Sequence, residues 1–132
     1  MIKRINFIII VFIFLNAGCN IFSSDNDSGD DSGWEKASMP KQLLSDWYRN
    51  GTNYMKITSK KIIIDNREWG IVNIYKKDSE YRIICKSSLQ YRAFYFQSIT
   101  DTTTEISMGY IAFTPYDAKT AARDSWIFIA KE

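Results

Sequence analysis

Leu43-Leu44-Ser45-Asp46-Trp47-Tyr48-Arg49-Asn50-Gly51-Thr52-Asn53-Tyr54-Met55-Lys56-Ile57-Thr58 is the stretch whose reading decides the fold. Two runs rich in aromatic and β-branched residues flank Asn50-Gly51. Asn and Gly both accept positive φ, which the tightest hairpin turns require. The stretch therefore predicts a strand over Leu43 to Arg49, a two-residue turn, and an antiparallel strand over 53–58.

Working outward, the same pattern repeats. Lys61 to Asp65 reads as a third strand. Asn66 and Arg67 then turn the chain into Trp69 to Lys76, with Gly70 as a candidate bend. Lys77-Asp78-Ser79 leads into Glu80 to Lys86, and Ser87-Ser88 into Gln90 to Ile99. Asp101-Thr102 leads into Thr104 to Phe113. Consecutive strands joined by tight turns pair up and down. One helix is announced by Thr114 as cap, Pro115 at the first position and Asp117 in the first turn. Ala118, Ala121 and Ala122 supply helix propensity, and Asp124-Ser125 ends it. Trp126 to Ala130 is the last strand. The expected fold class is mainly β: a small antiparallel up-and-down barrel of about eight strands, with one short helix before the last strand.

Leu44-Ser45-Asp46-Trp47-Tyr48 resembles the Gly-x-Trp-Tyr opening of a lipocalin barrel. In that family the Trp seals the closed end, and an Arg from near the chain end packs over it. Trp47 and Tyr48 match the two aromatic positions, and Ser45 replaces the glycine. The resemblance implies a compact lipocalin-like barrel over 34–132, with Arg123 as the covering cation.

The first twenty residues read as an address. Lys3 and Arg4 precede the apolar run Ile5 to Leu15, broken only by Asn6, and Asn16-Ala17-Gly18-Cys19 follows. A cationic start, a short apolar core and small residues mark a secretory signal. The run is about half the length that spans a bilayer as a helix. Leu15-Asn16-Ala17-Gly18-Cys19 resembles the lipobox of bacterial lipoproteins, with Leu15 one place early and Asn16 in the aliphatic position. This implies that residues 1–18 are removed and that Cys19 is lipidated. Several acyl chains hold a protein stably on a membrane, at about 0.8 kcal/mol per buried methylene. The implied place is the bacterial cell envelope, the outer membrane or cell surface before the cytoplasmic membrane.

Ser23 to Gly33 has four Asp, no base and no apolar residue. Such a composition cannot offset chain entropy by burial, so 19–33 reads as the lipidated cysteine and a disordered acidic tether. Asp27, Gly29 and Asp31 echo part of a calcium loop, but its terminal Glu and flanking helices are missing. The chain has 17 bases and 15 acids. Without Lys3, Arg4 and the four tether acids, 15 bases and 11 acids remain, a net charge of +4. That excess lacks the clustered stripe expected of a nucleic-acid binder. Lys60-Lys61 and Lys76-Lys77 read as solvated hairpin ends.

There is no histidine in the chain, which excludes Ser-His and Cys-His pairs and most zinc sites. Phosphate-loop, Rossmann and nucleophile-elbow motifs are also missing. Asp65 and Glu68 are near neighbours, but Asn66-Arg67 between them reads as a turn, not as a glycosidase pair. No enzyme, cofactor or metal is expected. Cys85 follows Ile83-Ile84 and reads as a buried, inert thiol.

Gln90 to Gln97 carries the candidate binding residues. Tyr91 and Tyr95 share one strand face, Phe94 and Phe96 the other. With the phenylalanines inward, the tyrosines form an outer patch or lie beneath the Ala-rich helix; with the tyrosines inward, they line a cavity with hydroxyls. The candidate set is Tyr91, Phe94, Tyr95, Phe96 and Trp47. The expected function is a lipid-anchored module that binds a small hydrophobic ligand or an envelope protein. The alternative is an interaction or inhibitor module with a solid core.

Overall fold

Asn50 and Gly51 both take positive φ, at 53° and 79°, and so do Asp65 and Asn66, at 54° and 60°. These residue types enter that region at low cost and produce the mirror-image turn that matches strand twist. They set the pairing of the first strands in a computed structural model of the chain, which describes residues 33–132. The expected signal segment, Cys19 and the expected tether up to position 32 lie outside the described residues. Trp34–Glu132 is one compact unit.

A two-residue strand β1 (Glu35–Lys36) and a 3-10 turn at Lys41–Leu43 come first. Then follow β2 (Ser45–Arg49), β3 (Thr52–Ile57), β4 (Lys61–Ile64), β5 (Arg67–Lys77), β6 (Glu80–Ser87), β7 (Gln90–Gln97) and β8 (Thr103–Met108). The helix α1 (Pro115–Thr120) precedes β9 (Ile127–Ala130). From β2 to β9 each strand pairs antiparallel with the next, and β9 returns to β2 at Ala130 and Tyr48. The result is a closed eight-stranded up-and-down barrel with one short helix before the last strand, the expected fold class. β4 covers β5 only from Arg67 to Gly70, and β1 covers the far end of the same side by pairing with Tyr75 and Lys76.

Strand alternation fills the ring. Trp47, Met55, Ile57, Ile62, Ile64, Trp69, Ile83, Cys85, Phe94, Phe96, Ile106 and Ile129 point into one core, capped by Leu43. These thirteen side chains are 0–4% exposed. Trp69 meets Phe94 edge-on at 6.1 Å, an arrangement contributing about 0.5–1.5 kcal/mol beyond burial. Trp47 Nε1 donates to the Leu43 carbonyl at 2.9 Å, so its polar tip is satisfied.

Several boundaries depart from the sequence reading, each for a local reason. Leu43 and Leu44 belong to a turn, not a strand, because their amides bond back to Pro40 and Lys41. Gly70 pairs regularly with Lys61 and Lys86, and the irregularity in β5 falls between Ile71 and Asn73. β8 stops at Met108 instead of Phe113. From there the Gly109 amide bonds to Ala93 and that of Tyr110 to Ala122. The helix stops at Thr120, short of Asp124, because Ala121 turns to extended backbone and the Asp124 amide bonds to Met108. Its start is as expected: Thr114 Oγ1 accepts from the Asp117 amide at 3.0 Å.

Two substitutions measured by urea unfolding test this account. Phe94→Ala should cost about 3–5 kcal/mol through lost burial and the cavity left behind. Gly51→Ala meets open space but keeps a φ of +79°, so it should cost only about 1–2 kcal/mol of backbone strain.

Candidate functional site

Of the five candidates, Trp47, Phe94 and Phe96 belong to the filled interior. Residues without accessible surface adjoin no space that admits even a water molecule. Two arginines close one end of this interior. Arg67 stacks 4.3 Å from the Trp69 ring and donates to Ser87 Oγ at 3.0 Å. Arg92 Nε donates to the Gly109 carbonyl at 2.8 Å.

Tyr91 and Tyr95 stand outside the barrel, but beneath a cover. Tyr95 is 5% exposed and joins Ile84 and Ala93 in a second cluster packed by Trp34, Tyr75, Tyr91 and Trp126. Trp34 meets the Tyr95 ring at 6.3 Å, and the Tyr95 hydroxyl donates to the Lys119 carbonyl of α1 at 3.3 Å. Arg123 lies 4.1 Å from the Tyr95 ring and donates to Glu80 Oε2 at 2.7 Å. Arg82 is buried between Trp34 at 4.5 Å and Tyr75 at 5.0 Å. Such cation–aromatic contacts contribute about 0.5–2 kcal/mol each. Burial raises the Tyr95 pKa, and the charges of Arg82 and Arg123 oppose that rise. Arg123 thus serves this outer cover, and the cation over Trp47 is Lys131, 5.3 Å from the ring.

Cys85 points inward beside these elements, and Arg82, Ile84 and Lys86 alternate outward. Burial pushes its thiol far above the ordinary value of 9.0, which makes it inert at neutral pH. Asp65 sits in its turn, and Glu68 pairs with Lys61 Nζ at 3.0 Å.

The open surface lies elsewhere. Beyond β8 the chain presents Tyr110, Ile111, Phe113 and Tyr116 to solvent, and the turn between β6 and β7 presents Leu89. Reciprocal backbone bonds between Tyr91 and Ala112, at 2.7 and 2.8 Å, bring both segments to one end of the barrel. Phe113 is 71% and Leu89 77% exposed. The sequence reading missed this rim because it ran β8 through Phe113. Gly109 and Thr114-Pro115 were the available signals, since a strand of that length would outrun its neighbours.

Two grooves open on other faces. One, of about 350 Å³, crosses β2, β3 and β4 between Asp46, Lys56 and the Asp65-Asn66 turn. The other, of about 300 Å³, lies near Gln42, Lys76 and Tyr81. None of the five candidates lines either groove. Among the described residues no group of three or more His, Cys, Asp or Glu is placed to hold a metal ion. Compared with protein families, curated proteins and solved structures, the chain finds no significant match.

The thiol gives a pH test. Its folded pKa is raised, so its contribution is intact below the unfolded value of 9.0 and is lost as pH climbs above it. Stability should fall by up to about 1.4 kcal/mol per pH unit between about pH 9 and pH 10. Cys85→Ala should flatten that slope in urea unfolding, and thiol reagents should label Cys85 only in the unfolded chain.

Proposed function

We propose that the chain is a bacterial cell-envelope lipoprotein, anchored through Cys19 at the outer membrane or cell surface, whose barrel is a protein-interaction module with a solid core. One observation carries the second half of this reading: side chains occupy the barrel interior while large apolar side chains stand exposed at its rim. A carrier of apolar ligands would need space where Trp47, Trp69, Phe94 and Phe96 stand. Leu89, Tyr110, Ile111, Phe113 and Tyr116, each exposed and carried by segments joined through Tyr91 and Ala112, are, by contrast, the side chains from which partner surfaces are made. Tyr110 and Tyr116 add polar tips to large, stiff contact areas. The anchor rests on the tripartite pattern of residues 1–19. Lipidation would keep the domain near envelope partners and make even a modest contact effective through local concentration.

Fatty-acid labelling of cells should mark the wild-type chain and leave Cys19→Ser unlabelled; equal labelling would overturn the anchor. Crosslinking in envelope fractions should trap a protein partner. Phe113→Asp should weaken that capture by about 30-fold or more, as expected at a hot spot, with an unchanged melting temperature. Undiminished capture would overturn the rim as the contact surface. Stoichiometric lipid released from the gently purified Cys19→Ser chain would overturn the solid core.

A further inference from the structure

We infer that the groove across β2, β3 and β4 is a binding site for a neutral saccharide, distinct from the aromatic rim. Its volume of about 350 Å³ falls within the range of small-molecule sites, roughly 300–1,000 Å³. Asp46, Asn53, Lys56, Asp65 and Asn66 converge on it from three strands and a turn. Among the described residues, none of these five side chains is committed to a hydrogen bond with another. Five convergent polar groups are thus free to serve a guest. Elsewhere on the barrel, Arg67, Gln97, Ser107 and Arg123 each have a protein partner.

A β-bulge shapes the apolar wall. Trp47 pairs with Met55 and Tyr48 with Asn53, which leaves Tyr54 as the extra residue. Bulges re-aim side chains and recur beside functional sites. Tyr54 lines the groove while packing against the core, half-buried. Burial raises its pKa, so its hydroxyl stays protonated and both donates and accepts. Ile63 continues the apolar wall beside it.

This donor set selects its guest. Two carboxylates repel phosphates and other anions. A calcium ion wants six to eight oxygens around it, and an open groove with two carboxylates supplies too few. An apolar guest would strip water from five polar groups and return no hydrogen bonds. A sugar meets all of them. Each hydroxyl donates and accepts, carboxylates take hydroxyl protons, and carboxamides and the ammonium serve the ring and hydroxyl oxygens. The C–H face of a pyranose lies against Ile63 and the edge of the Tyr54 ring, over whose face the Arg49 guanidinium stands at 6.0 Å.

The test uses the full-length chain in a detergent without a sugar headgroup, titrated with cellotriose, maltotriose and chitotriose and, separately, with inorganic phosphate. Saturation-transfer NMR and calorimetry report binding. At least one trisaccharide should bind saturably. Asp46→Ala and Asn66→Gly should each weaken it by about tenfold or more without lowering the melting temperature, glycine being chosen because position 66 holds a φ of 60°, whereas Phe113→Asp should leave it unchanged. The proposal is overturned by no saturable binding of any trisaccharide, by binding that survives both groove substitutions, or by tighter binding of phosphate. Because the rim variant is read in parallel, failure of the groove and failure of the rim are told apart.

Discussion

Closing eight strands into a ring sets the width of the space inside, and every other feature of the domain follows from how that space is used. An eight-stranded ring encloses room for side chains or for one small ligand. Here Trp47 and Trp69, with Phe94, Phe96 and Met55, take the space, and six isoleucines with Leu43 and Cys85 complete it. The seam is short: β2 and β9 meet in register at Tyr48 and Ala130. What holds it shut is the packed interior, while β9 is kept in place from its other side by β8, in register from Thr103–Ala130 to Ile106–Ile127 and extended by the Lys131 amide to the Thr102 carbonyl at 2.8 Å. A ring also removes the exposed sheet edges that would otherwise invite pairing with other chains.

With the inside occupied, differences in chemistry are pushed to the outside, and the outside is divided. One half is covered. Trp34, α1 and the segment carrying Arg123 converge on β5, β6 and β7, where cations alternate with aromatic rings. This arrangement lets an excess of positive charge sit close to the barrel wall, because ring faces and Glu80 offset it where few carboxylates are present. The covering segments come from both ends of the domain, so the cover ties Trp34 to the chain's last third without a disulfide.

The barrel was legible in the sequence because its instructions are local. Asn50-Gly51 specifies its turn through backbone preference, the next turn falls at Asp65-Asn66, one residue before the Asn66-Arg67 expected, and alternation puts Phe94 and Phe96 on one face, with packing deciding that it is the inner one. Thr114, Pro115 and Asp117 mark the helix start in the same way. What could not be read was set by contacts between distant segments. The end of β8 depends on Ala93 and Ala122, far off in sequence, capturing the amides of Gly109 and Tyr110. The burial of Tyr95 depends on Trp34 and the Lys119–Arg123 segment arriving from opposite ends of the domain. Candidate residues chosen for aromaticity therefore fell into cores, since a core and a binding face ask for the same side chains. The polar groove was illegible for the opposite reason. Asp46, Lys56 and Asp65 each look like solvated residues alone, and only register brings the first two face to face across β2 and β3.

The asymmetry of the cover also explains why a groove exists where it does. Twisted strands leave shallow channels between the outward side chains of neighbours, and a helix or a stacked ring fills them wherever it lies down. On β5, β6 and β7, Ala118 and Trp34 do this, and the channel becomes a second core. On β2, β3 and β4 none of the described residues lays a helix, and the channel between them is lined by polar side chains. Solubility could have been met by lysines and glutamates that reach away, as Lys61 and Glu68 do next door by pairing with each other. Short Asp and Asn side chains stay near the backbone instead, and the bulge at Tyr54 places an aromatic surface among them. Short polar groups around a fixed ring form a surface whose geometry the backbone holds, and that rigidity separates a site from a merely wet face.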